Sequence, residues 1–285
     1  MRGGESRADR PVVGGKMYHI DLGPGDIPPY VLLPGDPGRV DAIARTWDSY
    51  EIVAHHREYR SARGRYRGAP IAALSTGIGG PSAAIAVEEL AEIGAHTLIR
   101  VGTTGAIQAD IRPGDIVIAS ASVRFDCASG EYAPPEYPAA ASPEAVLALV
   151  EAAERLGLRY HVGVVASTAT FHLGQSRPGY RGYTWSAAER RIEDLRRMGV
   201  LSFEMESATI YTLAGLYGLR AGCVCAAIAN RVTNEFQAGA GVEDAIRVAN
   251  EAARILWRLD ESRGGYRSGR PASITELARA LAALE

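Results

Sequence analysis

Tyr30-Val-Leu-Leu-Pro-Gly-Asp-Pro-Gly-Arg39 decides the fold. Tyr30 to Leu33 reads as a short apolar strand, Pro-Gly-Asp-Pro stops it, and Pro37 to Thr46 reads as the helix that follows. A strand delivered into a helix is the unit of a sheet flanked by helices, the α/β class. The same alternation runs outward from it. Glu51 to Arg60, Ala69 to Leu74, His96 to Val101, Asp115 to Ser122, His161 to Ser167 and Ala221 to Ala229 read as further strands. Pro81 to Ile93, Pro143 to Leu156, Ala187 to Met198, Met205 to Tyr217 and Val242 to Leu259 read as helices, the first with Ile85, Leu90 and Ile93 on its apolar face. No repeat of solenoid or propeller period interrupts the pattern.

A chain of 285 residues can bury one large core or two ordinary ones. One domain is expected over residues 17–260. Before it, residues 1–16 are rich in Arg and Gly and lack apolar periodicity, which predicts a disordered tail. After it, residues 261–285 open with a Gly- and Arg-rich linker, Ser262 to Arg270. Ser273-Ile-Thr-Glu276 then resembles a capping box and predicts a short helix with Leu277, Leu281 and Leu284 on one face.

Charged residues make up 22% of the chain and the formal net charge is -2, so no basic field favours nucleic acid or an anionic membrane. Apolar runs such as Gly222 to Ala229 are too short to span a bilayer. A cytoplasmic protein with a small ligand is expected. Cys127, Cys223 and Cys225 are odd in number, and the Cys-x-Cys pair sits in an alternating apolar run. They read as small buried strand residues rather than a disulfide framework or a zinc site.

Four segments carry chemistry. The turn at Gly35 to Arg39 offers free backbone N–H groups beside a guanidinium, which suits an anion, although Pro-Gly-Asp is a common turn and Arg39 also reads as a solvated charge. Arg100-Val-Gly-Thr-Thr-Gly105 places an arginine and two hydroxyls at the carboxyl end of a strand, where open α/β sheets bind ligands. A buried strand-end arginine needs a partner. Arg57, in Ala54-His-His-Arg-Glu58, either joins this cluster or is an edge-strand charge.

In Phe203-Glu-Met-Glu-Ser207, Glu204 and Glu206 stand at i and i+2 and cannot serve one atom unless a helix starts between them. Glu206 can accept from a vicinal diol or can be ordinary first-turn acidic bias. Thr170-Phe-His-Leu-Gly-Gln-Ser-Arg177 gathers an aromatic face, an amide and a guanidinium in one loop. Gln175 can pair with a carbonyl next to an N–H, Arg177 can reach a second carbonyl, and Phe171 can stack on the ring. Polar loops with Gln and Arg are also common.

In this order and spacing the segments resemble the nucleoside phosphorylase superfamily, and within it the uridine phosphorylases, from Met17 to about Leu259. Leu33-Pro-Gly-Asp-Pro, Ser75-Thr-Gly-Ile-Gly-Gly-Pro-Ser82, Arg100 to Ile107, Phe171 to Arg177 and Phe203 to Ala208 carry the resemblance. It implies a three-layer α/β/α fold around a central mixed sheet. It implies phosphate binding by Gly35, Arg39, Arg100 and Thr103, with Arg57 from a neighbouring subunit. Thr104, Glu204, Met205 and Glu206 would hold ribose, with His19 arriving across a dimer interface. Gly105, Phe171, Gln175, Arg177, Ile228, Ala229 and Arg231 would surround uracil.

A potassium ion between subunits near Glu58, Ile78 and Ser82 is a further implied feature, with no other cofactor than the phosphate co-substrate. The implied assembly is a homodimer as functional unit within a hexamer. The implied reaction is reversible phosphorolysis of uridine to uracil and ribose 1-phosphate, with Arg100, Thr103, Gln175, Arg177 and Glu206 as its catalytic set. Ala229 is smaller than the family's usual valine, which predicts a roomier base pocket open to 5-substituted uracils or thymidine; deoxyuridine is a further substrate that the resemblance allows. Purine enzymes of the superfamily carry an aspartate where this chain has Asn230. A purine phosphorylase, a nucleosidase on the same fold, or a nucleoside-binding protein without turnover are the competing readings.

Overall fold

The computed structural model describes residues 8–284. Its strands are β1 (Val12–Val13), β2 (Lys16–Met17), β3 (Tyr30–Pro34), β4 (Ser49–His56), β5 (Tyr59–Tyr66), β6 (Ala69–Leu74), β7 (Thr97–Ala106), β8 (Ile116–Phe125), β9 (Tyr160–Thr168), β10 (Ser202–Glu204), β11 (Arg220–Asn230) and β12 (Glu235–Phe236). Its α-helices are α1 (Pro37–Ala44), α2 (Gly80–Glu92), α3 (Pro143–Arg155), α4 (Ser186–Arg197), α5 (Ser207–Tyr217), α6 (Val242–Ser262) and α7 (Ile274–Ala282).

Ten strands form one mixed sheet in the order β12-β11-β8-β9-β10-β7-β3-β6-β5-β4, and β11 also pairs with β7. That extra pairing closes β7, β11, β8, β9 and β10 into a ring. Side chains alternate across the sheet as the pleat requires. On β3, Val31 and Leu33 face a core shared with Val87 and Leu90 of α2 and Ile210 and Leu213 of α5. Tyr30 and Leu32 face the opposite core, filled by Val40 of α1, Leu149 of α3 and Ile255 of α6. Helices therefore cover both faces, the three-layer arrangement. Cys223 and Cys225 are buried free thiols on the first face, as small strand residues should be.

β7 is the strand that positions the site. Along one edge its first half pairs with β3, ending at Pro34↔Val101. Its last two residues pair with β10, at Phe203↔Gly105 and Ser202↔Ala106. Gly102, Thr103 and Thr104 lie in the gap between β3 and β10, so that edge opens into a cavity that all three line. Ligands favour such a break, because strand ends bring side chains and loop backbone to one place.

Three local differences from the sequence pattern have physical causes. Glu51 to Arg60 is a hairpin, β4 and β5, joined at Arg57 and Glu58 with Arg57 at φ 56°. A turn without Gly or Pro leaves no mark on apolar alternation. β7 runs on through Gly102-Thr-Thr-Gly105 to Ala106 because β11 pairs beside it along that length, overriding the low strand propensity of Gly. α5 begins at Ser207, leaving Glu206 at its N-terminal boundary.

Residues 1–7 of the expected tail lie outside the described residues. Next to them β1 pairs with β2, Val12 opposite Met17, and Arg10 meets Glu92 at the end of α2. At the other end, α7 has the reciprocal capping box: Ser273 Oγ accepts from Glu276 N–H and the Glu276 carboxylate accepts from Ser273 N–H. Ala280 is fully buried, and Leu277, Leu281 and Leu284 pack on the core beside α6. Arg220, only 1% exposed, bonds both oxygens of Asp260 and one of Glu144 beneath the Tyr266 ring, tying the segment after α6 to the body.

Candidate active site

The break in the β7 edge opens into a cavity of about 800 Å³. Gly35, Arg39, Arg100 and Thr103 line one end. Arg39 comes from the first turn of α1, held in place by a 3.2 Å hydrogen bond from Nη1 to the carbonyl of Val101. Burial, and then the neighbouring charge of Arg100, lower the pKa of Arg39. Two guanidiniums held close together at this cost favour an anion between them. Gly102 makes the packing feasible, since a Cβ there would stand 2.8 Å from Arg100 Nη2 and 2.8 Å from Cys225 Sγ.

Arg100 is buried and held from behind by two carboxylates. Its Nε donates to Glu204 at 2.7 Å and its Nη2 meets Glu206 at 2.5 Å. β10 ends at Glu204 and α5 starts at Ser207, so the chain turns between the two glutamates and both reach one guanidinium. Burial alone would lower the Arg100 pKa, but Glu206 and Glu204 together hold it well above its ordinary value.

The two glutamates differ. Glu204 accepts the N–H groups of Glu206 and Ser207 at 2.9 Å each and the hydroxyls of Ser167 and Ser207. Burial opposes its ionisation, yet Arg100 and these donors hold its carboxyl below the usual range. Glu206 accepts the N–H of Gly79 at 2.6 Å and a backbone hydrogen bond from Met205, besides pairing with Arg100, and has no hydroxyl donor of the kind that serves Glu204 among the described residues. Burial pushes its carboxyl up, and the charge of Glu204 adds to the push while Arg100, already engaged by Glu204, opposes it. Met205 lies between them on the cavity wall, and Thr104 Oγ1 donates to Phe203 O at 2.7 Å to fix β10 against β7.

Gly105, Phe171, Gln175, Arg177, Ile228 and Ala229 line the opposite end. Arg177 lies over the Phe171 ring, 3.9 Å from its centroid, and donates to Gln175 Oε1 at 2.5 Å. Burial, then the charge of Arg231, lower the Arg177 pKa to about 10. A β-bulge between Ala227 and Ala229 explains how consecutive residues Ile228 and Ala229 both face the cavity, which a regular strand forbids.

Four of the expected residues do not line this cavity. Arg231 stands behind it, donating to the carbonyls of Gln175 and Ser176 at 2.9 and 3.4 Å. His19 is paired with Glu89 of α2 at 2.6 Å. Arg57 sits 5.8 Å from the centroid of the Tyr18 ring, which also packs edge-on against His19. His19 and Arg57 thus share one patch outside the cavity. Ser82 donates to the carbonyls of Ile78 and Gly79 at 3.3 and 3.2 Å, while Glu58 and Ile78 reach the cavity mouth. Asn230 is buried with its amide nitrogen on the carbonyls of Gln108 and Ile111 and its oxygen on the N–H groups of Val232 and Thr233.

Asp36, Pro37, Gly77, Gly102, Phe203 and Phe236 line the cavity without having been singled out for it. Asp36, Pro37, Gly77, Gly102 and Phe203 fall inside the motifs quoted above, so proximity in sequence was an available signal. Phe236 had none. It belongs to the two-residue strand β12, directly opposite Ala229.

Residues 29–259 match the phosphorylase superfamily. The chain belongs to that superfamily. It is 57% identical to a uridine phosphorylase of Thermococcus kodakarensis, over 93% of this chain and 96% of that protein. It is 44% identical to the uridine phosphorylase of Escherichia coli, over 84% of this chain and 98% of that protein. A guanosine phosphorylase of Halorubrum lacusprofundi is 39% identical over 80% of this chain and 89% of its own length. Among the described residues no helix is long and apolar enough to cross a membrane.

Proposed function

We propose that the chain is a pentosyltransferase that catalyses reversible phosphorolysis of uridine to uracil and ribose 1-phosphate, and that it accepts deoxyuridine and thymidine. One observation carries the reading: a single cavity holds two anion-seeking guanidiniums at one end and an amide, a guanidinium and an aromatic ring at the other, with buried glutamates between.

Phosphate would sit on Arg39 and Arg100, the N–H of Gly35 and the hydroxyl of Thr103. Its oxygen forms a bond to C1′ while the bond from C1′ to the base nitrogen breaks, and the bonding pair departs with uracil. Gln175 and Arg177 would receive the charge delocalised onto uracil's carbonyl oxygens, aided by hydrogen bonds that already hold both side chains in place. Glu206, with Met205 and Thr104, would hold the ribose diol, and Glu204 would act through Arg100. Arg231 would serve the base by anchoring the carbonyls of its loop.

His19 and Arg57 would act on the cavity of a second subunit, which makes a homodimer the functional unit and fits a hexamer of three such dimers. A potassium ion at the subunit contact near Glu58, Ile78 and Ser82 is part of the same reading, as is a cytoplasmic site of action. The guanosine-acting relative keeps a purine reading alive, but a purine leaving group gains from protonation at N7. Asn230 offers no proton, and its amide is fully engaged by backbone.

The deciding assay follows uridine, thymidine, inosine, guanosine and adenosine by ultraviolet absorbance, with and without phosphate. Phosphate-dependent loss of uridine is expected. Cleavage without phosphate would replace phosphorylase by hydrolase, and preference for a purine nucleoside would overturn the pyrimidine assignment.

A further inference from the structure

The two ends of the Gln175 amide are held by different partners. Oε1 accepts from Arg177 Nη1 at 2.5 Å, and Nε2 donates to Thr168 Oγ1 at 3.1 Å. A guanidinium can only donate, so the amide oxygen must be the atom that faces Arg177. The Thr168 hydroxyl spends its own proton on the carbonyl of Thr170 at 3.3 Å, which leaves its oxygen an acceptor toward Gln175. Both conditions demand the same amide orientation.

Thr168 is the last residue of β9 and is completely buried, and Gln175 is 2% exposed. The loop lies down on Thr168 because residue 174 is glycine. A Cβ there would stand 2.8 Å from Thr170 Oγ1 and 3.2 Å from Thr168 Cβ. Gly174 N–H also donates to Thr170 Oγ1 at 2.9 Å, closing a small network beneath the amide.

We propose that Thr168 is a positioning residue that, together with Arg177, fixes the orientation of the Gln175 amide, and through it the choice of a base offering an N–H beside a carbonyl. The inference rests on the pyrimidine reading above. So oriented, the amide has an Oε1 lone pair and a second Nε2 proton left for a ligand. That pair complements the lactam edge of uracil. Cytosine carries a lone pair at the corresponding ring nitrogen, so Oε1 would meet lone pair against lone pair. A turned amide would relieve this, but would aim its NH2 group at Arg177.

The test measures Kd for uracil, cytosine and phosphate by calorimetry, the bases in the presence of phosphate, in wild type, Thr168→Val and Thr168→Ser. Valine keeps the shape of threonine and removes the acceptor. The expected result is a fall of about tenfold in the uracil-to-cytosine affinity ratio with Thr168→Val, the size of one lost hydrogen bond. Thr168→Ser restores the ratio, and phosphate affinity stays at the wild-type value in both.

An unchanged ratio in Thr168→Val overturns the proposal. Equal losses for uracil, cytosine and phosphate also overturn it, because they indicate a structural role. If Thr168→Val fails to fold, Thr168→Cys, of similar size and a weak acceptor, is read the same way. A wild-type protein that binds phosphate but does not prefer uracil to cytosine overturns the base-site reading first, an outcome distinct from a failure of Thr168 alone.

Discussion

The guanidinium of Arg100 is clamped between two buried carboxylates, 2.7 Å from Glu204 and 2.5 Å from Glu206. Glu204 is the structural half of the clamp, since it also caps the start of α5 through the N–H groups of Glu206 and Ser207. Glu204→Gln keeps the shape but leaves a buried guanidinium undercompensated. Unfolding by denaturant should show a loss of about 3–5 kcal/mol, the range for breaking a buried pair on one side. The phosphate KM should rise as Arg100 loses its fixed aim.

Glu206 gives the pH dependence of the same clamp. Its folded pKa is raised by burial and by Glu204, so its contribution to stability is complete below the ordinary carboxylate range and is lost as pH rises through the folded value. Glu204 has the opposite sign: its depressed pKa gives stability above the ordinary range that is lost as pH falls through the folded value. Glu206→Gln should therefore gain stability relative to wild type in the interval between the ordinary carboxylate range and the raised folded value of Glu206. Phosphate binding to wild type should weaken over the same interval more than binding to Glu206→Gln, because an ionised Glu206 repels the incoming dianion. Parallel pH profiles for the two proteins would refute the assignment.

The α/β order was legible because strands such as Ala69 to Leu74 and helices such as Pro143 to Leu156 show their period over many residues, and the structure places them within one residue of expectation. The break in the β7 edge was not legible. It depends on where β3 stops and β10 starts, a matter of pairing between segments far apart in the chain. The same limit hid the hairpin at Arg57 and the ring closed by β11. Chemistry was legible where one motif carries it: the arginine, the amide and the glutamates all stand in the cavity. The convergence of Glu204 and Glu206 on Arg100 depended on the turn between β10 and α5, which the spacing alone left open.

Arg231 shows how a residue outside the cavity can still act on it. Its two hydrogen bonds to the carbonyls of Gln175 and Ser176 hold the loop that carries the base-facing amide. Arg231→Ala should lower kcat/KM for uridine by about 10- to 100-fold, the cost of losing charged hydrogen bonds at a positioning site. The phosphate KM should stay near its wild-type value. A comparable loss on the phosphate side would mean that Arg231 acts on the whole site instead.

Phe236 bears on the expectation drawn from Ala229. A small residue at 229 suggested extra room, but Phe236 stands directly across the β11–β12 pair from it, and both line the cavity. Directly opposed residues in an antiparallel pair share a face of the sheet. Phe236 is 72% exposed, so it can be truncated without opening the core. Phe236→Ala should raise the uridine KM about tenfold, the loss from one aromatic contact to the base, and should shift relative kcat/KM toward uridines with bulky 5-substituents. An unchanged preference would remove Phe236 from the base wall.

His19 and Arg57 raise the question of which chain's cavity they serve. Glu58 lines the cavity of its own chain, yet Arg57 beside it turns away with φ 56° toward the Tyr18 ring, where His19 also packs. Arg57 is exposed on a patch formed by Tyr18, His19 and His56, which packs edge-on against Tyr18, and it reaches a cavity only where another subunit presents one. Arg57→Ala and Arg100→Ala should each abolish or cripple turnover as separate proteins. Unfolded and refolded together, they should form mixed dimers in which, on the proposed assembly, one of the two sites draws Arg100 from one chain and Arg57 from the other. With random pairing the mixture should recover about a quarter of wild-type activity, since half the dimers are mixed and half their sites intact. No recovery would confine Arg57 to its own chain, and full activity in a monomer, by light scattering with simultaneous assay, would remove the partner from the mechanism altogether.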